Sequence, residues 1–71
     1  MSREGAFLVW CMERYRHAKA LSGREVAALF RENGVYDHIL RFYGALHTLS
    51  DALVVEDIDA HLAARAGSRP G

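Results

Sequence analysis

The sequence has 71 residues, about half the length of a typical domain, which allows one small hydrophobic core and excludes a second domain within it. Hydrophobic residues make up 51% of the sequence and charged residues 25%, a balance that excludes general disorder and indicates a folded globular domain. Lys plus Arg and Asp plus Glu both total 9, so the formal net charge is +0 and no bulk positive field attracts nucleic acid or an anionic membrane.

The first predicted element is a helix over about residues 4–20. Phe7, Cys11 and Tyr15 recur at four-residue intervals and therefore share one face of this helix. Cys11 is the only cysteine, and its place in an apolar run favours a buried thiol in a reduced, cytoplasmic protein. The apolar stretch at residues 6–12 is too short for a membrane span and has no cleavage site after it, so we expect neither export nor anchoring.

A second helix is predicted to begin after Ser22. The Ser22 hydroxyl can accept from the backbone N–H of Glu25, and the Glu25 carboxylate can accept from that of Ser22, which together make a capping box. Gly34 followed by Val35 fits a left-handed stop, so this helix should end at Asn33. Its apolar stripe consists of Val26, Leu29 and Phe30.

A third helix is predicted to begin near Tyr36 and to present one broad apolar face. Residues 47–51 have the composition of a turn, and the β-branched pair Val54 and Val55 predicts a short extended piece after it. A fourth helix is expected over about residues 56–66, with its acidic residues near the helix N-terminus. The apolar face of the third helix comprises Tyr36, Ile39, Leu40, Tyr43 and Leu46.

These elements together predict an all-α fold, a small single-domain bundle of about four short helices. The helical domain is expected to occupy residues 1–66. Residues 67–71 contain Pro70 and have nothing to bury, so they predict a disordered tail. Because a chain this small buries only about 60% of the surface that its unfolded form exposes, a bound partner or a second copy would stabilise it disproportionately.

The first helix carries a second apolar set on the side away from Phe7, Cys11 and Tyr15. This set contains Val9 and Trp10, and one face of the helix cannot bury both sets. Two interpretations follow. Val9 and Trp10 contact a further element of the same fold, or they remain exposed for another chain.

The histidines do not form a recognisable metal site. His38 and His47 are nine residues apart in the third helix and point to nearly opposite sides. Asp57 and His61 are four apart, but no third ligand stands at a recognisable spacing, so neither a metal nor another cofactor is expected. His47 projects on the apolar side of its helix, where it is expected to bond a backbone group or a tyrosine hydroxyl; a binding role is the alternative.

No set of catalytic residues is recognised, and we expect the protein not to be an enzyme. Ser22 is explained by helix capping, Ser50 by a turn, and Cys11 by burial without a neighbouring base. The sequence also lacks a phosphate-binding loop, a zinc signature and a nucleotide fingerprint.

The second and third helices resemble in part the helix-turn-helix unit of DNA-binding proteins, which also joins two helices by a short turn containing Gly. The second of the two helices would offer Tyr36, Asp37, His38 and Arg41 to DNA. This set contains one permanent cation beside one anion, whereas phosphate contacts use several Lys or Arg side chains. A DNA-binding regulator is therefore the alternative function and not the first.

Four strings of the sequence stand in a distinctive order and spacing: FLVWCME at residues 7–13, SGREVAALF at 22–30, YGALHT at 43–48 and VVEDID at 54–59. In this arrangement they resemble a small bacterial family, Domain of Unknown Function 3791, over about residues 5–65. Members of that family are often encoded beside a protein that resembles an ADP-ribosyltransferase toxin.

The resemblance implies that the chain is a neutralising or accessory partner of such a toxin-like enzyme, as in toxin–antitoxin pairs. A second copy of the chain is the other expected protein partner. Our hypothesis is that the contact involves Val9 and Trp10 of the first helix together with Leu46, His47 and Thr48 at the end of the third.

Overall fold

A computed structural model describes residues 1–67 of the chain. These residues form a compact all-α bundle without strands, which confirms the predicted fold class. The helices are α1 (Arg3–Lys19), α2 (Gly23–Glu32), α3 (Val35–Arg41), α4 (Tyr43–Leu46) and α5 (Asp51–Gly67).

The two ends of α1 lie within one residue of the predicted ones. At its N-terminus the Ser2 hydroxyl accepts a hydrogen bond of 3.0 Å from the backbone N–H of Gly5. At its C-terminus Ala20 adopts a left-handed conformation, with φ 54°, and its N–H bonds back to the last turn. Three residues, Ala20, Leu21 and Ser22, therefore connect α1 to α2.

The capping box predicted for α2 is present. The backbone N–H of Glu25 donates to the Ser22 hydroxyl over 3.0 Å, and the backbone N–H of Ser22 donates to the Glu25 carboxylate over 2.9 Å. These bonds lower the pKa of the Glu25 carboxyl below its ordinary value. Asn33 caps the other end of the helix, and Gly34 follows with φ 66°, as the left-handed stop requires.

Replacing Gly34 by Ala is expected to lower the free energy of unfolding by about 1 kcal/mol, because an L-residue is strained at positive φ. The added methyl group would meet only the end of the flexible Arg65 side chain, at 3.4 Å. Gly44→Ala is the matched control, since it adds a methyl group to open space within α4 and should stabilise by up to about 1 kcal/mol. Urea denaturation followed by circular dichroism measures both; a Gly34→Ala variant as stable as wild type contradicts the prediction.

The prediction of one continuous third helix is wrong, because the helix is divided at Phe42. This residue has φ −104° and ψ 21°, outside the helical region, and it separates α3 from α4. After the break Tyr43 packs against the Phe7 ring, and Leu46 is buried in the core. Leu40, predicted on the apolar face, is 44% exposed.

The short extended piece predicted at Val54 and Val55 is also wrong. Both residues are helical, because α5 begins at Asp51, directly after Ser50. Burial explains the difference: Val54 is fully buried in the core, and packing of this kind overrides the modest preference of β-branched residues for strands. The helix includes Gly67, which the sequence assigned to the tail. The rest of the predicted tail, residues 68–71, lies outside the described residues.

One hydrophobic core joins the helices. Cys11 from α1, Phe30 from α2 and Ile39 from α3 are all fully buried. The Phe30 ring lies 5.6 Å from that of Tyr15 and 5.8 Å from that of Tyr36, measured between ring centroids. The buried residues are Cys11, Tyr15, Val26, Phe30, Val35, Ile39, Leu46, Val54 and Ile58.

Polar contacts fasten α1 to α5 beside this core. The Tyr15 hydroxyl and the Lys19 ammonium each donate to the Asp59 carboxylate over 2.7 Å. Lys19 and Tyr15 together hold the pKa of the Asp59 carboxyl below its ordinary value of 3.8. Burial and the bond to Asp59 raise the pKa of Tyr15, which therefore remains a neutral donor.

Because the folded pKa of Asp59 is lowered, its contribution to stability is complete above 3.8 and disappears as the pH falls through the lower folded value. We expect Asp59→Asn to cost about 1 kcal/mol near neutral pH, a modest figure because solvent screens a carboxylate that is 41% exposed. Glu56→Gln, at an exposed position in the interior of α5, is the control. Urea denaturation across the acid range should show the Asp59→Asn deficit shrinking toward zero; a deficit that does not change with pH contradicts this assignment.

Candidate interaction surface

A shallow groove lies between the first turns of α1 and the segment that follows α4. It has a volume of about 370 Å³ and is lined by Ala6, Phe7, Trp10, His47 and Leu49. Trp10 and His47 were singled out separately in the sequence, and the fold brings them to the same groove. We call Ala6, Val9, Trp10, His47 and Leu49 the Trp10 surface.

Four aromatic rings form a continuous series that supports this groove. The ring centroids of Trp10 and Phe7 are 5.6 Å apart in a stacked arrangement. The Phe7 ring meets Tyr43 edge-on at 5.4 Å, and Tyr43 stacks on His47 at 4.6 Å. Edge-on and offset contacts of this kind add to the stability that burial provides, so the four rings stabilise the contact between α1 and α4.

His47 has the backbone contact expected of a structural histidine. Its Nδ1–H donates to the carbonyl of Tyr43 over 2.7 Å, because a carbonyl oxygen can only accept. The structure gives the other ring nitrogen, Nε2, no hydrogen-bond partner among residues 1–67. His47 is an exposed residue, so Nε2 is open to a hydrogen bond with another molecule.

Trp10 and Val9, from the second apolar set on α1, differ in how far the rest of the fold covers them. Trp10 is partly buried and packs against the edge of the core, so it does contact the rest of the fold. Val9 is 47% exposed. Val9 and Ala6 are three residues apart on the helix and therefore adjacent on its surface, which extends the groove with exposed apolar area.

The other two residues of the hypothesis lie elsewhere. Leu46 is 2% exposed and belongs to the core, so it is not available for a contact with another protein. Thr48 is exposed, but it does not line the groove, and its hydroxyl donates to the carbonyl of Ala45 over 2.8 Å. Leu49 lines the groove instead and is 37% exposed. Its position in a segment of turn composition gives no signal of a role in the surface, so the sequence does not predict it.

A second polar cluster joins α3 to α5. His38 Nε2–H donates to the Asp57 carboxylate over 2.6 Å, and His61 Nε2–H donates to the carbonyl of Asn33 over 2.8 Å. The His38 and His61 rings stack with their centroids 4.3 Å apart. Both Nε2 atoms are thus used in internal bonds. Within residues 1–67, no three His, Cys, Asp or Glu side chains are placed to hold a metal ion together.

A short turn joins α2 to α3, and α3 is largely occupied by internal contacts. Tyr36 packs edge-on against Phe30, and His38 is paired with Asp57. Of the residues considered for DNA contact, Asp37 and Arg41 remain exposed. These two side chains carry opposite charges, so α3 offers no excess of positive charge for phosphate groups.

No helix in the described part of the chain has both the length and the apolar character needed to cross a bilayer.

The fold and the groove define a small all-α protein with a partly aromatic surface site. The sequence pattern of the family described as "Protein of unknown function (DUF3791)" matches residues 6–65, from the first turn of α1 almost to the end of α5, and the chain belongs to this family. Comparison with curated proteins and with solved structures found no match to the chain.

Proposed function

We propose that the protein is a non-catalytic interaction module that binds a protein partner through the Trp10 surface. The observation that carries this proposal is the groove itself, in which an aromatic ring, exposed apolar side chains and a histidine nitrogen without a hydrogen-bond partner among residues 1–67 come together from two distant segments. Interfaces obtain most of their binding free energy from such centres, in which Trp is enriched.

The Trp10 surface has the chemical composition of an interface centre. Trp10 is held by Phe7 on one side and by the Arg14 guanidinium, 5.7 Å from the ring centroid, on the other. A side chain that is already ordered loses little conformational entropy when a partner binds. Val9 and Leu49, 47% and 37% exposed, supply apolar area around it.

The partner that we propose is the ADP-ribosyltransferase-like protein implied by the family resemblance, with this chain as its neutralising or accessory subunit. A small module without net charge is suited to this role, because its contact then depends on shape and apolar area more than on long-range attraction.

The environment of Cys11 supports the proposal of a non-catalytic role, because cysteine is the most nucleophilic residue type in the chain. Cys11 is fully buried, and burial together with the nearby Asp57 raises the pKa of its thiol to about 12. A thiol in this environment remains protonated and inaccessible, whereas a catalytic cysteine requires an exposed thiolate. The function of Cys11 that we propose is packing.

The proposal is tested by measuring the affinity of the purified ADP-ribosyltransferase-like neighbour for Val9→Asp and Trp10→Ala. Each substitution should weaken binding at least about tenfold, because it removes apolar area from the Trp10 surface or adds a charge to it. Leu53→Asp is the matched control, since Leu53 on α5 is also 47% exposed but does not belong to the Trp10 surface. The control variant should bind as wild type does.

Equal loss of binding in the control variant, or no loss in Val9→Asp, would overturn the assignment of the surface.

The DNA-binding alternative is tested by measuring the affinity of the same protein for duplex DNA at increasing salt concentrations. A phosphate-binding protein loses affinity steeply as salt is added, and we expect no binding of this kind even at low salt. Salt-dependent binding to DNA would replace the proposed function with the alternative one.

A further inference from the structure

A groove between α3 and α5 has no lining residue in common with the Trp10 surface, so its role is independent of the proposed function. Its volume of about 310 Å³ is at the lower end of the range of about 300–1,000 Å³ that small-molecule sites occupy. Four of the described side chains that line it are basic: His38 and Arg41 from α3, and His61 and Arg65 from α5. We call it the α3–α5 groove.

Two arginines give the α3–α5 groove permanent positive charge. Arg41 is exposed and forms no ion pair among residues 1–67; its guanidinium lies 5.8 Å from the centre of the Phe42 ring. The Arg65 guanidinium lies beside Gly34, where a Cβ would be 3.4 Å from it. Among the described residues, Asp37 is the one acidic side chain in the lining, so two arginines against one aspartate leave an excess of one positive charge. The helix α3 alone lacks this excess, which arises where Arg65 of α5 joins it.

The two stacked histidines supply further hydrogen-bonding groups. His38 and His61 both line the groove, and their Nε2 atoms are used in the bonds to Asp57 and to the carbonyl of Asn33. Neither Nδ1 atom has a partner among residues 1–67, and no unpartnered side-chain nitrogen of this part of the chain is buried, so both Nδ1 atoms reach solvent. A protonated imidazole donates from both nitrogens, so either ring can keep its internal bond while its Nδ1–H donates to a ligand.

We propose that the α3–α5 groove binds the phosphate group of a small phosphate monoester. Arginine and protonated histidine form short, charge-assisted hydrogen bonds with phosphate oxygens. The basic side chains reach the groove from two helices, and a tetrahedral phosphate presents oxygens in several directions, whereas a carboxylate presents two oxygens in one plane. A guanidinium has five N–H donors, so each arginine can bind phosphate and keep its contacts within the protein.

Phe42 offers a surface for the organic part of the ligand. Its side chain is 48% exposed and lies next to the Arg41 guanidinium. An aromatic ring of the ligand can pack against Phe42 while the phosphate group contacts the arginines.

Phosphate binding in the α3–α5 groove is linked to protonation of one histidine. The two rings are 4.3 Å apart, so positive charges on both would repel each other, and one added proton is expected. Among the described residues, the charged groups that line the groove or bond to the rings are Asp37 and Arg41 from α3 and Asp57 and Arg65 from α5. These four charges sum to zero, so the bound anion supplies the negative charge that balances the added proton.

The first test is an NMR titration of the nitrogen-15-labelled protein with phenyl phosphate near pH 6.5. Binding should be saturable, and the shifted resonances should centre on the backbone amide of Gly34 and the side chain of Arg41. Arg41→Gln should weaken binding at least about tenfold, because it removes a hydrogen bond to a charged group. Arg31→Gln, at an exposed position on α2 outside the groove, is the matched control and should bind as wild type does. Benzoate carries the same ring on a carboxylate and should bind at least about tenfold more weakly, because it offers fewer acceptor oxygens.

The second test follows the histidine rings in the presence of sulfate, a tetrahedral dianion whose charge is constant over the range in which histidine ordinarily titrates, around pH 6.5. Saturating sulfate should raise the titration midpoint of His38 or His61, read from the side-chain nitrogen shifts, by at least about half a pH unit. His17, exposed on α1 outside the groove, should not change.

Four results would each overturn the proposal. They are a lack of saturable binding of phenyl phosphate, equal binding of benzoate, equal affinities of the Arg41→Gln and Arg31→Gln variants, and unchanged midpoints for both histidines of the groove.

Discussion

Phe30→Ala is expected to lower the free energy of unfolding by about 3–5 kcal/mol at 25 °C, from the lost apolar contacts and the cavity that remains. Phe30 is fully buried, and its ring contacts both Tyr15 and Tyr36. A domain of this length has about 4–10 kcal/mol of stability in total, so the substitution removes about a third of it or more.

Phe42→Ala is the matched control for this prediction, because it makes the same change of side chain at a position that is 48% exposed. We expect it to cost about 1 kcal/mol or less. Urea denaturation followed by circular dichroism compares the two variants with wild type. Similar midpoints for Phe30→Ala and Phe42→Ala would show that the core is not centred on Phe30.

Alkylation of Cys11 is expected to be at least about a thousandfold slower in the folded protein than in the unfolded chain near pH 8. The folded thiol has its pKa raised from 9.0 to about 12, mainly by burial, so its reactive thiolate fraction is correspondingly smaller. The sulfur is also fully covered by the core, and a reagent reaches it only when the protein opens.

Mass spectrometry after iodoacetamide treatment measures this rate, with and without urea. The rate should rise steeply across the unfolding transition, and without urea it should already be higher in Phe30→Ala than in wild type. Cys11 is the only cysteine, so every added mass reports on this one site. Rapid alkylation of the folded wild-type protein would contradict the position of Cys11 in the core.

The ends of α1 and α2 are predictable from the sequence because their signals are local. Ser22 and Glu25 have the spacing of a capping box, and Gly34 adopts a positive φ that few other residue types tolerate. The break at Phe42 and the start of α5 at Asp51 depend instead on packing between distant segments. Helix periodicity and β-propensity, which are local measures, therefore misplace them.

The candidate surface was predictable in part. Val9 and Trp10 are marked by excess apolar area on α1, which helix geometry alone reveals. The proximity of Trp10 and His47 arises from the Phe7–Tyr43 contact between α1 and α4, which no spacing in the sequence encodes. Leu46 lies in the core, whereas Leu49, in the segment after α4, is 37% exposed and lines the groove.

Fluorine NMR of the protein labelled with fluorotryptophan tests the role of the Trp10 surface most directly. Trp10 is the only tryptophan, so the spectrum contains one resonance from the centre of the surface, and an unlabelled partner contributes none. Titration with the proposed partner, an ADP-ribosyltransferase-like protein, should shift or broaden this resonance until the partner is saturating, and Val9→Asp should suppress the change. An unchanged resonance at partner concentrations where sedimentation shows a complete complex would contradict the account.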